Sequence, residues 1–147
     1  MKRIRIPQTN PRFDTYRMMY WSKGTKTEAY IAAPKDPGTY PLFVICHGGW
    51  TTSENKSHVS PSDNGPHTVA EDVKVLDNAW NNAITIGPIY RGYGHSGGTV
   101  NGLDGNTIDT ENAIKAAINH FNSKKEKRHV RKGHFYLSGM SMGGGVT

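Results

Sequence analysis

The chain has 147 residues, 35% hydrophobic and 20% charged, with a net charge of +6, which excludes a disordered chain and fits one globular domain with its own core. No apolar run reaches the ~20 residues of a membrane-spanning helix. The basic start Met1-Lys2-Arg3-Ile4-Arg5-Ile6-Pro7 lacks the apolar core of an export signal, so the expected location is the cytoplasm, with no membrane partner.

Ile4 to Ile6 predicts a first strand. Tyr16 to Trp21 and Glu28 to Ala33, rich in aromatic and β-branched residues, predict two more, joined by a turn at Lys23-Gly24. The breakers between Pro34 and Pro41 predict a loop. Leu42-Phe43-Val44-Ile45-Cys46 is a short continuous apolar run, the pattern of a strand buried on both faces. Cys46 is the single cysteine and cannot close an internal disulfide; it reads as a buried structural thiol.

Thr51 to Gly65 is polar and predicts a loop. After Pro66, Val69, Val73, Leu76 and Trp80 form one stripe of an amphipathic helix. Ala83 to Tyr90 predicts a second buried strand. Arg91 to Asn106 holds six glycines and predicts a loop. A second helix follows, with Ile114, Ala117, Ile118 and Phe121 on one face and Thr107 or Asp109 as caps. Lys124, Lys125, Lys127, Arg128, Arg131 and Lys132 concentrate most of the positive charge in one stretch. No aromatic residues interleave with them, so they predict a solvated loop and no nucleic-acid partner. His134 to Ser138 predicts a third buried strand. Buried strands alternating with helices predict a parallel sheet covered on both faces.

Three segments that follow buried strands carry chemistry, and open α/β sheets place their sites there. Gly139-Met140-Ser141-Met142-Gly143-Gly144 is a G-x-S-x-G sequence. A nucleophilic serine must project from a tight strand-to-helix turn, and small residues two before and two after it let the backbone turn without clash. Ser141 is therefore the candidate nucleophile, and the amide of Met142 points at the developing oxyanion. His47-Gly48-Gly49-Trp50 is the second segment. Its glycines let the backbone approach a substrate carbonyl, and Gly49 and Trp50 are the candidate oxyanion donors. His47 precedes the nucleophile and reads as a loop anchor rather than the base.

The third segment, Tyr90-Arg91-Gly92-Tyr93-Gly94-His95-Ser96-Gly97-Gly98, contains a second G-x-S-x-G around Ser96. Asp104, Asp109, His120, His129 and His134 follow it, so a Ser-Asp-His order could be assembled. The nucleophile turn must open a helix, and Thr99 to Asn106 is a poor helix former, so Ser96 is set aside. Seven histidines lie at no metal-ligand spacing, so neither metal nor cofactor is expected.

In combination, these three segments resemble the α/β-hydrolase fold. Within it they resemble the catalytic domain of the prolyl oligopeptidase family and its dipeptidyl- and acylaminoacyl-peptidase relatives. Tyr30-Ile31-Ala32-Ala33-Pro34 followed by Tyr40-Pro41-Leu42 is similar to the hairpin before the oxyanion loop there. The resemblance runs from about Tyr16 to the end. It implies an α/β fold, with a mostly parallel sheet and helices on both faces. It also implies a serine hydrolase acting on a peptide or small ester. Carboxylesterases and dienelactone-hydrolase relatives share the same landmarks, so an esterase is the alternative.

The family's strand order would set Phe135 to Ser138 beside Leu42 to Cys46 with its other edge open. Its triad runs serine, then acid, then histidine. Residues 142–147 contain neither an acid nor a histidine. The expectation is that residues 1–147 form the N-terminal part of one catalytic domain, interrupted after the nucleophile elbow. The acid and base would then lie beyond Thr147 and the chain alone would be inactive. A non-catalytic binding product is the alternative from another class.

Overall fold

The structure, a computed structural model, describes residues 3–5, 10–49 and 82–147. The strands are β1 (Arg3–Arg5), β2 (Phe13–Ser22), β3 (Thr25–Pro34), β4 (Gly38–Cys46), β5 (Ile84–Ile89) and β6 (Arg128–Gly139), joined in one sheet in the order β1-β2-β3-β5-β4-β6. Helix α1 (Gly102–Phe121) precedes β6, and a 3-10 turn (Ser141–Gly145) follows it.

The sheet is mixed, which corrects the expectation of a mostly parallel one. β1-β2, β2-β3 and β3-β5 pair antiparallel, whereas β5-β4 and β4-β6 pair parallel. The cause is local. Lys23 and Gly24 take positive φ of 47° and 78°, the two-residue connection whose twist matches a right-handed hairpin. So short a link permits only antiparallel neighbours. β2 and β3 then stay in unbroken register from Phe13↔Pro34 to Ser22↔Thr25. The parallel half comprises β5, β4 and β6, the strands that lead into the three chemical segments.

Among the described residues α1 is the one α-helix, packed against β2, β5 and β6. The helix expected after Pro66 and the loop at Thr51 to Gly65 lie outside the described residues. Met18, Ile31, Leu42, Val44, Ile86 and Phe121 are fully buried and form the centre of the core.

Three sequence expectations need correction. First, β4 begins at Gly38, inside the expected loop. Gly38 to Tyr40 pair with Arg128 to Val130, and the register then jumps, with Leu42 opposite Phe135. Pro41 has no N–H to give the ladder, so pairing breaks there and residues 131–134 bulge from β6, with Gly133 at φ 72°. Arg128 belongs to the first paired run and is buried rather than solvated. Its guanidinium bonds Glu126 at 3.0 Å, Asp14 at 3.1 Å and the Pro34 carbonyl at 3.2 Å.

Second, α1 starts at Gly102, with Asn101 as its N-cap; Thr107 and Asp109 are interior. Gly105 is there for packing. A Cβ on it would sit 2.8 Å from that of Asn101 and 3.4 Å from Cδ of Arg91. Asp109 is buried and receives the Arg91 backbone N–H at 2.7 Å, the Arg91 Nη2 at 2.7 Å and the Ser22 hydroxyl at 2.5 Å. This pair ties the segment after β5 to the helix.

Third, the later run of β6, from Phe135 onward, is not buried. It lies beside β4 at the sheet edge, where the resemblance places it, but Phe135 is 53% and Tyr136 51% exposed. Neighbouring strand residues point to opposite faces, so neither face is covered there by the described residues.

Candidate active site

The parallel pairing of β4 with β6 brings two chemical segments together. Cys46 stands opposite Gly139 in register, so Gly48 and Ser141 both lie two residues beyond the same rung. The approach is close. A Cβ on Gly48 would lie 3.4 Å from Cβ of Ser141 and 3.1 Å from the Met140 carbonyl oxygen. Gly49 follows at φ 125°. Trp50 lies outside the described residues.

Ser141 is exposed and has φ 55°, a left-handed conformation that costs a non-glycine residue about 1–2 kcal/mol. The two flanking glycines make room for it. A Cβ on Gly139 would run into the Gly143 carbonyl, and a Cβ on Gly143 would run into the carbonyls of Cys46 and His47. Gly143 N–H donates to the Met140 carbonyl at 2.9 Å, closing the turn beneath the serine.

Met142 is buried, 7% exposed. Its sulfur accepts hydrogen bonds from Asn106 Nδ2 at 3.3 Å and the Tyr93 hydroxyl at 3.8 Å. The same hydroxyl lies 3.5 Å from the Gly49 carbonyl oxygen. Tyr93 and Asn106 are residues that the sequence reading missed. Tyr93 lay inside a singled-out motif, but its reach across β4 to the elbow is a tertiary fact. Asn106 carried no signal, because it fell in a stretch taken for loop.

His47 is an anchor. Its ring stacks on Tyr90 at 4.2 Å between centroids and meets Tyr93 edge-on at 5.4 Å. Its Nδ1 donates to the Gly48 carbonyl at 2.7 Å. Burial lowers its pKa to about 4, against a smaller upward pull from the Gly48 carbonyl. The imidazole is therefore neutral at pH 7 and a weak base. Cys46 is also buried, and burial pushes its thiol up, as befits a structural cysteine.

Ser96 is 2% exposed. Its hydroxyl donates to the Ile89 carbonyl at 2.7 Å and accepts the Glu28 N–H at 3.0 Å. It staples β5 to β3 and faces no solvent. Its neighbour His95 sets Nδ1 3.3 Å from Glu28, a fully buried carboxylate that also pairs with Arg17 at 3.3 Å. Among the described residues, no group of three or more His, Cys, Asp or Glu could hold a metal ion. No helix there is long and apolar enough to cross a membrane.

No family model matches the chain. It is similar to YtmA of Bacillus subtilis, a protein named as an uncharacterized peptidase, with 25% identity over 98% of this chain. It spans about half, 48%, of that relative's length. Among solved structures it resembles the esterase Est22, with a TM-score of 0.68 and 14% identity, covering 93% of this chain and 38% of that one. It also resembles the Pyrococcus furiosus esterase Pf2001, with a TM-score of 0.58 and 18% identity, covering 97% and 51%. The hyperthermophilic esterase of Pyrobaculum calidifontis gives 0.62 and 19%, covering 95% and 37%. At these identities the structural likenesses show the fold alone, which this chain shares with those esterase structures.

Proposed function

We propose that this chain carries the nucleophile half of a serine hydrolase that transfers an acyl group to water. The observation that supports this best is the meeting of the exposed, strained Ser141 with the Gly48–Gly49 loop at the ends of two parallel strands. In this reading, Ser141 Oγ bonds to the carbonyl carbon of a peptide or ester and its proton passes to a general base. The amides of Met142 and of the Gly49–Trp50 loop hydrogen-bond the oxygen as it gains charge, which stabilises the transition state more than the ground state. Collapse expels the amine or alcohol, and water then releases the acid.

His47 is not the base in this reading, because its ring is buried and poorly basic. The base and its orienting acid are assigned to the part of such a domain that follows the nucleophile turn, where the serine, acid, histidine order puts them. The greater length of YtmA supports that assignment. No cofactor or metal enters the chemistry.

The substrate class has two readings. The motif combination and the peptidase name of YtmA favour a peptidase of the prolyl oligopeptidase type. The esterase names of the solved neighbours favour a carboxylesterase or a dienelactone-hydrolase relative. The test is hydrolysis of p-nitrophenyl esters and aminoacyl p-nitroanilides, with imidazole supplied as an external base. Turnover of one class above that of Ser141→Ala supports the reading and selects the substrate. Equal rates for both proteins reject it in favour of a non-catalytic binding protein.

A further inference from the structure

The Met142 sulfur is held from two directions by parts of the chain remote in sequence. Tyr93 reaches it from the segment after β5, and Asn106 reaches it from the first turns of α1. Both donors are buried, at 2% and 0% exposure. A thioether is a weak acceptor, so two polar donors turned onto one sulfur fix its position more than they add stability. Asn106 turns its Nδ2 to the sulfur and leaves its Oδ1 without a partner among the described residues. The Tyr93 hydroxyl also lies 3.5 Å from the Gly49 carbonyl oxygen. One hydroxyl thus touches both loops that are to supply oxyanion donors.

We infer that Tyr93 and Asn106 are positioning residues that set the Met142 amide by gripping its side chain, and that Tyr93 couples the elbow to the Gly49 loop. The inference rests on the serine-hydrolase reading. The Ser141 turn is short and holds a left-handed serine, with the Gly143 N–H to Met140 carbonyl bond closing it on the backbone side. The Met142 side chain is the other handle on that turn, and it is clamped. Small errors in donor placement cost rate without costing fold, because the donor must meet the oxygen that forms in the transition state.

The experiment measures two things on the 147-residue chain and on Tyr93→Phe, Asn106→Leu, Met142→Leu and Tyr93→Phe/Met142→Leu. One is the rate of Ser141 phosphonylation by a fluorophosphonate with imidazole present. The other is the NMR signal of the Met142 methyl group in 13C-methyl-methionine protein. The inference expects Tyr93→Phe to shift the methyl signal and slow labelling roughly tenfold with little change in melting temperature. It also expects that slowing to shrink several-fold in the Met142→Leu background, where the sulfur is gone, leaving only the Gly49 contact. A lowered melting temperature with an unchanged labelling rate overturns it, as does an unchanged methyl signal. Absence of labelling in the parent chain defeats the hydrolase reading and the catalytic role with it, while the methyl signal still decides whether the clamp exists.

Discussion

At the scale of single residues, steric and electrostatic constraint converge on the turn at Ser141. Gly143 has no room for a side chain, because a Cβ would meet the backbone of Cys46 and His47. Gly143→Ala should destabilise the chain by about 3 kcal/mol, since neither contact is a movable side chain. Gly144→Ala, whose Cβ would find nothing nearer than 3.6 Å, should be close to neutral in the same melts. His47 adds a pH dependence. Its pKa falls to about 4 on folding, so the unfolded chain binds the proton more tightly between pH 6.5 and 4. The burial costs nothing by this route above pH 6.5 and destabilises the folded chain progressively as pH falls towards 4, by about 3 kcal/mol in all. Melts of His47→Gln across that window should show a flatter pH profile than the parent. An equally steep profile would place the titration elsewhere.

At the scale of elements, the sequence was most legible where one short run decides its own structure. Leu42 to Cys46 and Phe135 to Ser138 pair as read, and Lys23-Gly24 makes the turn its glycine announced. The chemistry of Gly139 and Gly143 was legible because tightness in a turn is a local property. Long-range pairing was not. Gly105 looked like a helix breaker but serves close packing on Arg91, so the helix starts earlier than its composition suggests. Asp109 looked like a cap but is the buried partner of Arg91. Phe135 and Tyr136 looked like core because apolar pattern does not reveal what covers a strand. The Arg91–Asp109 pair holds the segment bearing Tyr93 against α1. Asp109→Ala should cost about 3–5 kcal/mol, because it strands a guanidinium that is only 14% exposed. Glu111→Ala, which removes the solvent-exposed pair with Lys115, should leave the melt unchanged.

At the scale of the whole molecule, the sheet has two unlike ends. Among the described residues, the β1 end is a three-residue strand, while β6 has no strand partner on its outer side and Phe135, Tyr136 and Met140 are exposed there. Such an edge templates pairing with other chains. The isolated chain should be poorly soluble, and Tyr136→Lys should raise its soluble yield without lowering its melting temperature. Light scattering that shows a clean monomer of the parent at high concentration would contradict this.

The central claim is that Ser141, and not Ser96, is the nucleophile. Fluorophosphonate labelling in the presence of imidazole, followed by tryptic mapping, tests it most directly. The two serines fall on separate peptides, Gly133–Thr147 and Gly92–Lys115. An adduct on Ser141 that disappears in Ser141→Ala is the result predicted. An adduct on Ser96, or a folded chain that takes none, would contradict the account.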